Sequence, residues 1–288
     1  MVSDTLSFSF INKSQKPIPF SEIMDNTVQY QHKSIAYQIS GSGPALVLLH
    51  GFMESKAIWA DFTEILQNDF TVIAIDLPGH GESEVVNEIH SMQLMAEIVK
   101  TVLEAEKIEK SVVAGHSMGG YVALQFAVDN EEMVKGLVLF HSNANADTDE
   151  AKENRRRTIN IVQQNKSGFI KQFIPELFDQ KHVEKYTSEI QKLQDIASTM
   201  TPESIIAAVS GMRDRPNQLQ YLLLANIPIL FIIGKQDSRM PYTQLMAQAV
   251  IPSHSEILLL EDVGHMGFIE APAKTLQAMK YFAIRCFE

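Results

Sequence analysis

The sequence predicts an α/β fold built on a mostly parallel sheet, and two observations carry this prediction. Short apolar runs such as "ALVLLHG" and "FTVIAID" alternate with amphipathic segments along most of the 288-residue chain. These runs also lack the strict alternation of apolar and polar residues that a strand with one solvated face shows. Strands of this kind, separated by helical segments, are typical of a parallel sheet covered by helices on both faces.

Eight strands are expected along the chain. The stretch "VQYQHKSIAYQI" contains the first two, which alternate in polarity and end at a turn with Gly41, Gly43 and Pro44. The other six are "ALVLLHG", "FTVIAID", "SVVAG", "VKGLVLFHS", "IPILFIIG" and "SEILLL". Helices are expected between them, for example over residues 91–107 and 241–250, where apolar residues recur at helical spacing.

The pattern changes between residues 143 and 217. This segment predicts consecutive helices without a strand, and it is rich in Gln, Lys and Glu. Thr201 followed by Pro202 has the form of a helix start, with an N-cap residue and proline at the first helical position. We therefore expect an α/β core over residues 1–142 and 218–288, with a helical cap, or lid, inserted at 143–217.

Composition and charge exclude several classes of protein. Hydrophobic residues make up 45% of the chain and its formal net charge is −11, so we expect a soluble globular protein without a nucleic-acid partner. No apolar run approaches the roughly 18 residues of a spanning helix, which argues against a membrane protein. The N-terminal stretch "MVSDTLSFSFINKSQK" lacks the pattern of a secretory signal, so the cytoplasm is the expected location.

Disulfide, metal and cofactor sites are not expected. Cys286 is the single cysteine, which leaves no disulfide framework and no cysteine-based metal site. No two histidines have the i, i+4 spacing of a metal-binding helix, so no metal is expected. "GHG" lacks the third glycine of a dinucleotide site and "GHSMGG" lacks the lysine of a P-loop, so no cofactor is implied. The oligomeric state is left open.

Polar side chains at the ends of the strands predict where a functional site lies. In an open parallel sheet, ligands bind at the loops that leave the carboxyl ends of the strands. Ser117, Asp237 and His265 each follow a predicted strand, in the chain order of hydrolases with a serine nucleophile on a sharp turn. The other polar residues at strand ends are His50, Asp76, His116, His141, Ser142 and Asn143.

The segment "VVAGHSMGGYVALQFAV" places Ser117 between a predicted strand and a predicted helix. Its "GHSMG" has the form G-x-S-x-G, which is a weak signal when taken alone. The position between strand and helix makes the signal strong, because such a turn holds the serine in a strained conformation with its hydroxyl exposed. Gly115 and Gly119 are then expected where the strand and the helix pass too closely for side chains.

On these motifs the chain resembles the α/β-hydrolase superfamily over nearly its whole length. The stretches that match in order and spacing are "LLHGF", "DLPGHGES", "GHSMGG", "GKQD" and "GHMGF". The chain is most similar to the branch with lidded carboxylesterases, enol-lactonases and cofactor-free haloperoxidases, which "GMRDRP" in the insert also resembles. The resemblance implies the α/β-hydrolase fold, with an eight-stranded sheet, helices on both faces and a helical cap.

The resemblance also implies roles for five residues. Ser117 would be the nucleophile, His265 the general base and Asp237 the acid that orients the histidine. The backbone N–H groups of Phe52 and Met118 would form the oxyanion hole. "HGFM" departs from the H-G-G-G form of lipases, so activity on bulky lipids is less expected.

Some of these assignments have alternatives in the sequence. Asp262 lies close to His265 and Asp147 follows the sixth strand, so either is an alternative to Asp237 as the acid. His50 and His116 are interpreted as structural residues near the site. Asp76 is interpreted as a brace for the loop that carries "GHGES" rather than as a catalytic group.

The cap is expected to roof an enclosed apolar pocket. Substrate contacts are expected from Met53, Met240 and Met266, because methionine is apolar and adaptable. The cap residues expected to face the core are Phe169, Phe173, Ile174, Leu177, Phe178, Met200 and Met212. The run Arg155–Arg157 is interpreted as a solvated helix face, with an anionic substrate group or a structural ion pair as the alternative.

The predicted function is hydrolysis of a small or medium carboxylic ester, lactone or thioester through an acyl-serine intermediate. The expected partner is therefore a small ester-like molecule. Three alternatives stay open at this point. The same triad could serve a carbon–carbon bond hydrolase or a lyase of the menaquinone-pathway type, perhydrolysis could be a side activity, or the chain could be a binding module with weak or no hydrolysis.

Overall fold

The computed structural model describes residues 23–288, and the N-terminal stretch that was considered for a secretory signal lies outside them. Within this range, eight strands form one sheet. Their bounds are β1 (Met24–Tyr30), β2 (Lys33–Ser40), β3 (Ala45–Leu49), β4 (Thr71–Ile75), β5 (Ser111–His116), β6 (Val134–Phe140), β7 (Ile229–Gly234) and β8 (Ser255–Leu260).

The strand order across the sheet is β1-β2-β4-β3-β5-β6-β7-β8. Strand β2 pairs antiparallel with β1 and with β4, and every other pairing in the sheet is parallel. All residues of β3, β5 and β7 are buried, so these central strands are covered on both faces. The mostly parallel eight-stranded sheet predicted from the sequence is confirmed.

Ten α-helices lie within residues 23–288. Their bounds are α1 (Ala60–Leu66), α2 (Met92–Ala105), α3 (Met118–Asp129), α4 (Asp149–Phe173), α5 (Thr187–Thr199), α6 (Pro202–Arg213), α7 (Leu219–Leu224), α8 (Tyr242–Ala249), α9 (Gly267–Glu270) and α10 (Pro272–Phe287). None of the helices in this part of the chain is long and apolar enough to span a lipid bilayer.

Helix α2 shows how a local pattern becomes a packed element. The Ser91 hydroxyl caps its N-terminus by accepting a hydrogen bond from the N–H of Leu94. The apolar positions three and four residues apart that predicted the helix form its buried face: Met92, Met95, Ile98, Val99 and Val102. The apolar stripe alone therefore predicted this helix, and the structure adds the cap at its start.

The chain between β6 and β7 is helical. It forms α4 to α7 together with two short 3₁₀ turns, and Thr201 caps α6 with Pro202 at the first helical position, as its sequence predicts. Helix α4 is kinked at Asn165, where φ is −154° and ψ is 73°. Helix α6 packs on the loop after β4, since the N–H of His90 donates to the carbonyl of Ala207 at 3.0 Å.

Candidate active site

Ser117 occupies a strained turn between β5 and α3. Its φ is 50° and its ψ is −112°, a region that residues with a Cβ rarely adopt. Neighbouring strands hold it there: its N–H donates to the Phe140 carbonyl at 2.9 Å, and the Ser142 hydroxyl donates to its carbonyl at 2.8 Å. The turn therefore presents the Ser117 side chain at the carboxyl end of β5.

Glycines let three backbone segments meet beneath this turn. A Cβ on Gly115 would lie 2.1 Å from the Gly119 carbonyl oxygen, and a Cβ on Gly119 would lie 2.5 Å from the Leu49 carbonyl oxygen. Both distances are far below van der Waals contact, and the atoms involved are backbone atoms that cannot rotate away. The glycines are thus required by the close approach of α3 to β3 and β5.

Asp237 and His265 follow β7 and β8 and lie in contact. The His265 Nδ1 is 2.8 Å from Asp237 Oδ2, while Asp237 Oδ1 accepts from the N–H groups of Arg239 and Met240 at 2.8 and 2.9 Å. Burial would raise the pKa of Asp237, but the charge of His265 and the hydrogen bonds from His141 and His265 outweigh it and hold the pKa well below its usual range. Asp237 is therefore an ionised carboxylate.

His141 is a second imidazole on the same carboxylate. Its Nδ1 lies 3.1 Å from Asp237 Oδ2, and the side chain is fully buried at the end of β6. Burial lowers the pKa of His141 to about 4, although Asp237 opposes this shift. His141 is therefore neutral near pH 7 and donates Nδ1–H to Asp237. Its position at a strand end is visible in the sequence, but its contact with Asp237 is not.

Glu54 and His116 form a buried pair beside the site. His116 Nδ1 lies 3.0 Å from Glu54 Oε2, which also accepts from the Gly51 N–H, and His116 Nε2 donates to the His265 carbonyl at 2.9 Å. Burial would lower the pKa of His116, but the Glu54 carboxylate raises it above its ordinary value. The pair is thus carboxylate and imidazolium, and it ties the loop after β3 to the loop after β8.

The loop around His265 is held by backbone hydrogen bonds. The Glu270 carboxylate accepts from the N–H groups of Gly264 and Met266 at 3.0 and 3.1 Å, one on each side of His265. The His265 N–H itself donates to the Leu177 carbonyl at 2.7 Å. Glu270 was not among the predicted site residues, although its position two residues after "GHMGF" is a usable signal.

The loop after β3 brings the Phe52 N–H toward the same end of the sheet as Met118. Met53, the next residue, has a φ of 61°, so the loop turns sharply behind Phe52. Within residues 23–288, neither the Phe52 nor the Met118 backbone N–H donates to a protein acceptor. Two donors therefore remain open, that of Met118 directly after Ser117 and that of Phe52 in the loop after β3.

A cavity of about 850 Å³ opens over these residues. Ser117 and His265 both line it, together with Phe52 and Met240. Met53 and Met266, which were expected to contact substrate, do not line this cavity: both are fully buried, and Met53 belongs to the turn behind Phe52. Of the three predicted substrate-binding methionines, the structure brings Met240 alone to the cavity wall.

The cavity wall is more polar than the sequence predicts. Phe169, Phe173, Leu177 and Met212 line it as expected, whereas Ile174, Phe178 and Met200 are buried elsewhere. The polar and charged side chains that share the wall are Glu54, Asn143, Asn145, Asp147, Thr148, Asn154, Arg155, Thr158, Gln172, Glu176, Arg215, Asn217, Ser238, Arg239 and Gln244. The wall is therefore mixed rather than apolar as expected, because α4 turns polar as well as aromatic side chains toward the site.

Neither Asp147 nor Asp262, the residues weighed against Asp237, is hydrogen-bonded to His265. Asp147 binds two guanidinium groups, those of Arg155 and Arg215, and Asp262 is exposed. Asp76 accepts from the backbone N–H and the ammonium of Lys56 and from the Glu82 N–H, so it braces its loop as expected.

His50 is structural, as its sequence position predicts. Its Nδ1 donates to the Gly51 carbonyl at 2.8 Å and its Nε2 accepts from the Leu77 N–H at 2.9 Å. Both ring nitrogens are therefore satisfied by the backbone of two loops, and the ring is fully buried.

His141, Asp237 and His265 are also the described residues that come nearest to a metal-ligand set, with ligand atoms within 4.8 Å of one another. The Nδ1 atoms of both histidines lie at hydrogen-bond distance from one carboxylate oxygen, so each carries a proton there. A protonated nitrogen has no lone pair for a metal. The geometry of this cluster is that of a hydrogen-bonded carboxylate.

Comparison with known proteins decides the family. The profile of the family described as "alpha/beta hydrolase fold" matches residues 44–272. The chain belongs to this family. The α/β-hydrolase fold expected from the sequence motifs is thereby confirmed, and the sheet order and the strained serine turn are its features in this chain.

Individual relatives agree with the esterase and enol-lactonase branch. A malate-bound thermophilic esterase from Thermogutta terrifontis is 30% identical and superposes with a TM-score of 0.85, over 92% of this chain and 99% of that one. The 3-oxoadipate enol-lactonase 1 of Acinetobacter baylyi is 26% identical over 88% of this chain and 94% of that protein. An uncharacterized protein of Mycobacterium tuberculosis is 39% identical over 104 residues, a match that spans 36% of this chain and 30% of that protein.

Proposed function

We propose that this α/β hydrolase cleaves carboxylic esters through an acyl-serine intermediate. The observation that carries the proposal is that Ser117 and His265 line one cavity while His265 Nδ1 is bound to an ionised Asp237. With Nδ1 protonated, the Nε2 of His265 is free to accept the Ser117 proton, which turns a weakly nucleophilic hydroxyl into an effective nucleophile.

The remaining steps use groups at the same end of the sheet. The Ser117 oxygen attacks the ester carbonyl, and the open N–H groups of Phe52 and Met118 stabilise the oxyanion that forms. The C–O bond breaks, His265 returns its proton to the departing alcohol, and the acyl group stays on Ser117. Water, deprotonated by His265, then attacks the acyl carbon. The bond from that carbon to Ser117 Oγ breaks, His265 returns the proton to Ser117, and the carboxylic acid leaves.

The helical cap is part of the proposed substrate site. Residues 143–217 would enclose the substrate, because side chains of α4 and α6 line the same cavity as Ser117. The names of the relatives support an ester or a lactone as the bond that is cleaved, since one is an esterase and another is an enol-lactonase. The ester bond and the lactone bond are both acyl–oxygen bonds, so their cleavage requires the same nucleophile and the same oxyanion donors.

The test combines covalent labelling with a substrate panel. A fluorophosphonate probe should label the wild type at Ser117 and leave Ser117→Ala unlabelled. Wild type should hydrolyse short methyl esters or lactones, and Ser117→Ala should lose on the order of a millionfold in kcat while keeping its circular dichroism spectrum. Labelling without hydrolysis of any ester, lactone or thioester would favour the carbon–carbon hydrolase or lyase. Absence of both would favour a binding module.

A further inference from the structure

Helix α4 contributes one of three consecutive arginines to the cavity. Ala151, Asn154, Arg155, Thr158 and Ile161 line the cavity and recur every three or four residues, so they form one face of the helix. Arg156 binds Glu153 and Arg157 lies near the Asn154 side-chain amide, and neither lines the cavity. Arg155 is thereby distinguished from its two neighbours by its place in the wall.

Arg215 is a second cavity cation, and it is buried. Only 8% of the residue is exposed, and its guanidinium lies 4.1 Å from the centre of the Tyr121 ring, in the first turn of α3. Its Nε donates to the Asn145 carbonyl and its Nη1 to the Met212 carbonyl and to Asp147. The Nη2 group has no hydrogen-bond partner among residues 23–288, although Arg215 lines the cavity.

Asp147 is shared by both arginines. Arg155 Nε donates to its Oδ2 at 3.1 Å and Arg215 Nη1 donates to its Oδ1. The two Nη groups of Arg155 have no partner in the described part of the chain. One carboxylate thus faces two guanidinium groups, which leaves one excess positive charge and several free N–H donors in the wall.

The other charges of the wall are already matched. Arg239 binds Glu176 at 2.6 Å, and Glu54 is paired with the His116 imidazolium. The excess charge at Asp147 therefore has no counterpart in the cavity, in a chain whose formal net charge is −11. A partly buried guanidinium with free donors is stabilised by an anion that it can bind through two parallel hydrogen bonds.

We propose that Arg155 and Arg215 bind a free carboxylate on the substrate. The substrate class is then an ester or lactone that carries a second, unesterified carboxylate, such as the half-ester of a dicarboxylic acid. The carboxylate lies against the free Nη groups of both arginines while the ester carbonyl reaches Ser117. This inference rests on the proposed hydrolase function and specifies its substrate.

The kinetic test compares carboxylate and amide substrates of equal shape. Monomethyl esters of straight dicarboxylic acids, from succinate to suberate, are compared with the same esters whose free carboxylate is a primary amide. At the chain length that is hydrolysed fastest, kcat/KM should be about tenfold to a hundredfold higher for the half-ester than for the matching amide, because the half-ester can form a charge-assisted hydrogen bond. In Arg155→Gln this ratio should fall about tenfold, mainly through a higher KM for the half-ester.

The matched controls are the two neighbouring arginines. Arg156→Gln and Arg157→Gln remove the same charge from the same helix, outside the cavity, and should keep both the ratio and the rates of the wild type. Equal kcat/KM for carboxylate and amide in the wild type would overturn the inference. So would an equal loss of preference in the control variants, because a general charge effect would then be responsible.

A binding measurement separates this inference from the proposed function. Ser117→Ala cannot form the acyl-enzyme, so it can be titrated with monomethyl adipate in a calorimeter. The half-ester should bind, and the double variant Ser117→Ala, Arg155→Gln should bind about tenfold more weakly. No binding to Ser117→Ala would refute the carboxylate site even if the wild type hydrolyses neutral esters. Binding with no hydrolysis and no Ser117 labelling in the wild type would refute the proposed function and leave the carboxylate site standing.

Discussion

Asp237 receives hydrogen bonds from four donors, two backbone N–H groups and two imidazoles. The backbone donors fix the orientation of the carboxylate, and His141 occupies the side of Oδ2 that His265 leaves open. A carboxylate held in this way cannot rotate, so His265 is kept in the tautomer with Nδ1 protonated. His141 thus acts on the proposed reaction through Asp237, as a positioning residue.

The substitution Asp237→Asn should lower kcat by about ten-thousandfold, because the amide no longer stabilises the charged imidazole or its tautomer. The matched control is Asp262→Asn, an exposed carboxylate on the loop before His265, which should keep kcat within about twofold. Steady-state kinetics on one methyl ester measures both. A larger loss in Asp262→Asn than in Asp237→Asn would make the assignment of the acid wrong.

The buried pair of Glu54 and His116 should contribute to stability. Glu54→Gln removes the charge that balances the imidazolium, and breaking a buried pair costs about 3 kcal/mol. Glu82→Gln is the control, because the Glu82 side chain is 72% exposed and its pair with Lys56 should contribute less than about 1 kcal/mol. Urea unfolding of both variants gives the comparison. Equal losses would mean that the Glu54 pair is no stronger than a surface pair.

At the scale of elements, the site depends on how closely α3 approaches the strands beneath it. Helix α3 starts directly at Met118, so its free N–H groups and the positive end of its dipole lie beside Ser117. Gly119 permits this placement, since its Cα lies against the backbone carbonyls of Leu49 and His50. Moving the helix outward would move the Met118 N–H away from the position of the oxyanion in the proposed mechanism.

Gly119→Ala should therefore destabilise the protein, although alanine is the better helix former. The added Cβ meets two backbone oxygens at 2.5 and 2.6 Å, and relieving such overpacking costs about 3 kcal/mol. Gly168→Ala in α4 is the control: its nearest neighbour is the Asn165 side-chain amide, which can rotate, so the cost should be about 1 kcal/mol or less. Thermal unfolding and kcat are measured for both. An unchanged kcat in Gly119→Ala would contradict the role of helix placement.

At the scale of the whole molecule, buried histidines make folding stability depend on pH. Burial lowers the pKa of His141 and of His90 to about 4, from an ordinary value of 6.5. The unfolded chain therefore binds more protons than the folded one between about pH 6.5 and 4. The free energy of unfolding falls as the pH drops through this window, by about 1.4 kcal/mol per pH unit for each such histidine. His116, whose pKa is raised, acts in the opposite direction above pH 6.5.

His141→Asn tests this dependence. Asparagine does not titrate, tolerates the positive φ of 48° at this position, and can still donate to Asp237. The slope of unfolding free energy against pH between 6.5 and 4 should therefore be smaller than in the wild type by about 1.4 kcal/mol per pH unit. Urea unfolding at several pH values measures the slope. An unchanged slope would mean that His141 titrates alike in the folded and unfolded states.

Local patterns in the sequence were enough to predict most of the fold. Apolar runs predicted six strands, because a strand buried on both faces leaves no polar alternation, and alternation predicted the first two. Thr201 predicted a helix start because a cap acts within three residues. The turn at Ser117 was also predictable from a local pattern, because closely spaced glycines around one residue indicate a turn where backbone segments approach each other closely. Asp237 and His265 were found because the carboxyl ends of parallel strands meet at one edge.

Which side chains meet across those loops depends on the three-dimensional packing of the chain. Glu54 and His116 are 62 positions apart, His141 and Asp237 are 96 apart, and Asp147 and Arg215 are 68 apart. The spacing of apolar residues predicts that a residue lies at a strand end or on a helix face. The conformation of the loop then sets the direction of its side chain. For this reason Met53 turned into the core behind Phe52, and Arg155, one of three arginines in a row, reached the cavity. The cavity wall is partly polar because Asn154, Arg155 and Thr158 face the site, and the orientation of α4 is set by its packing on α5 and α6.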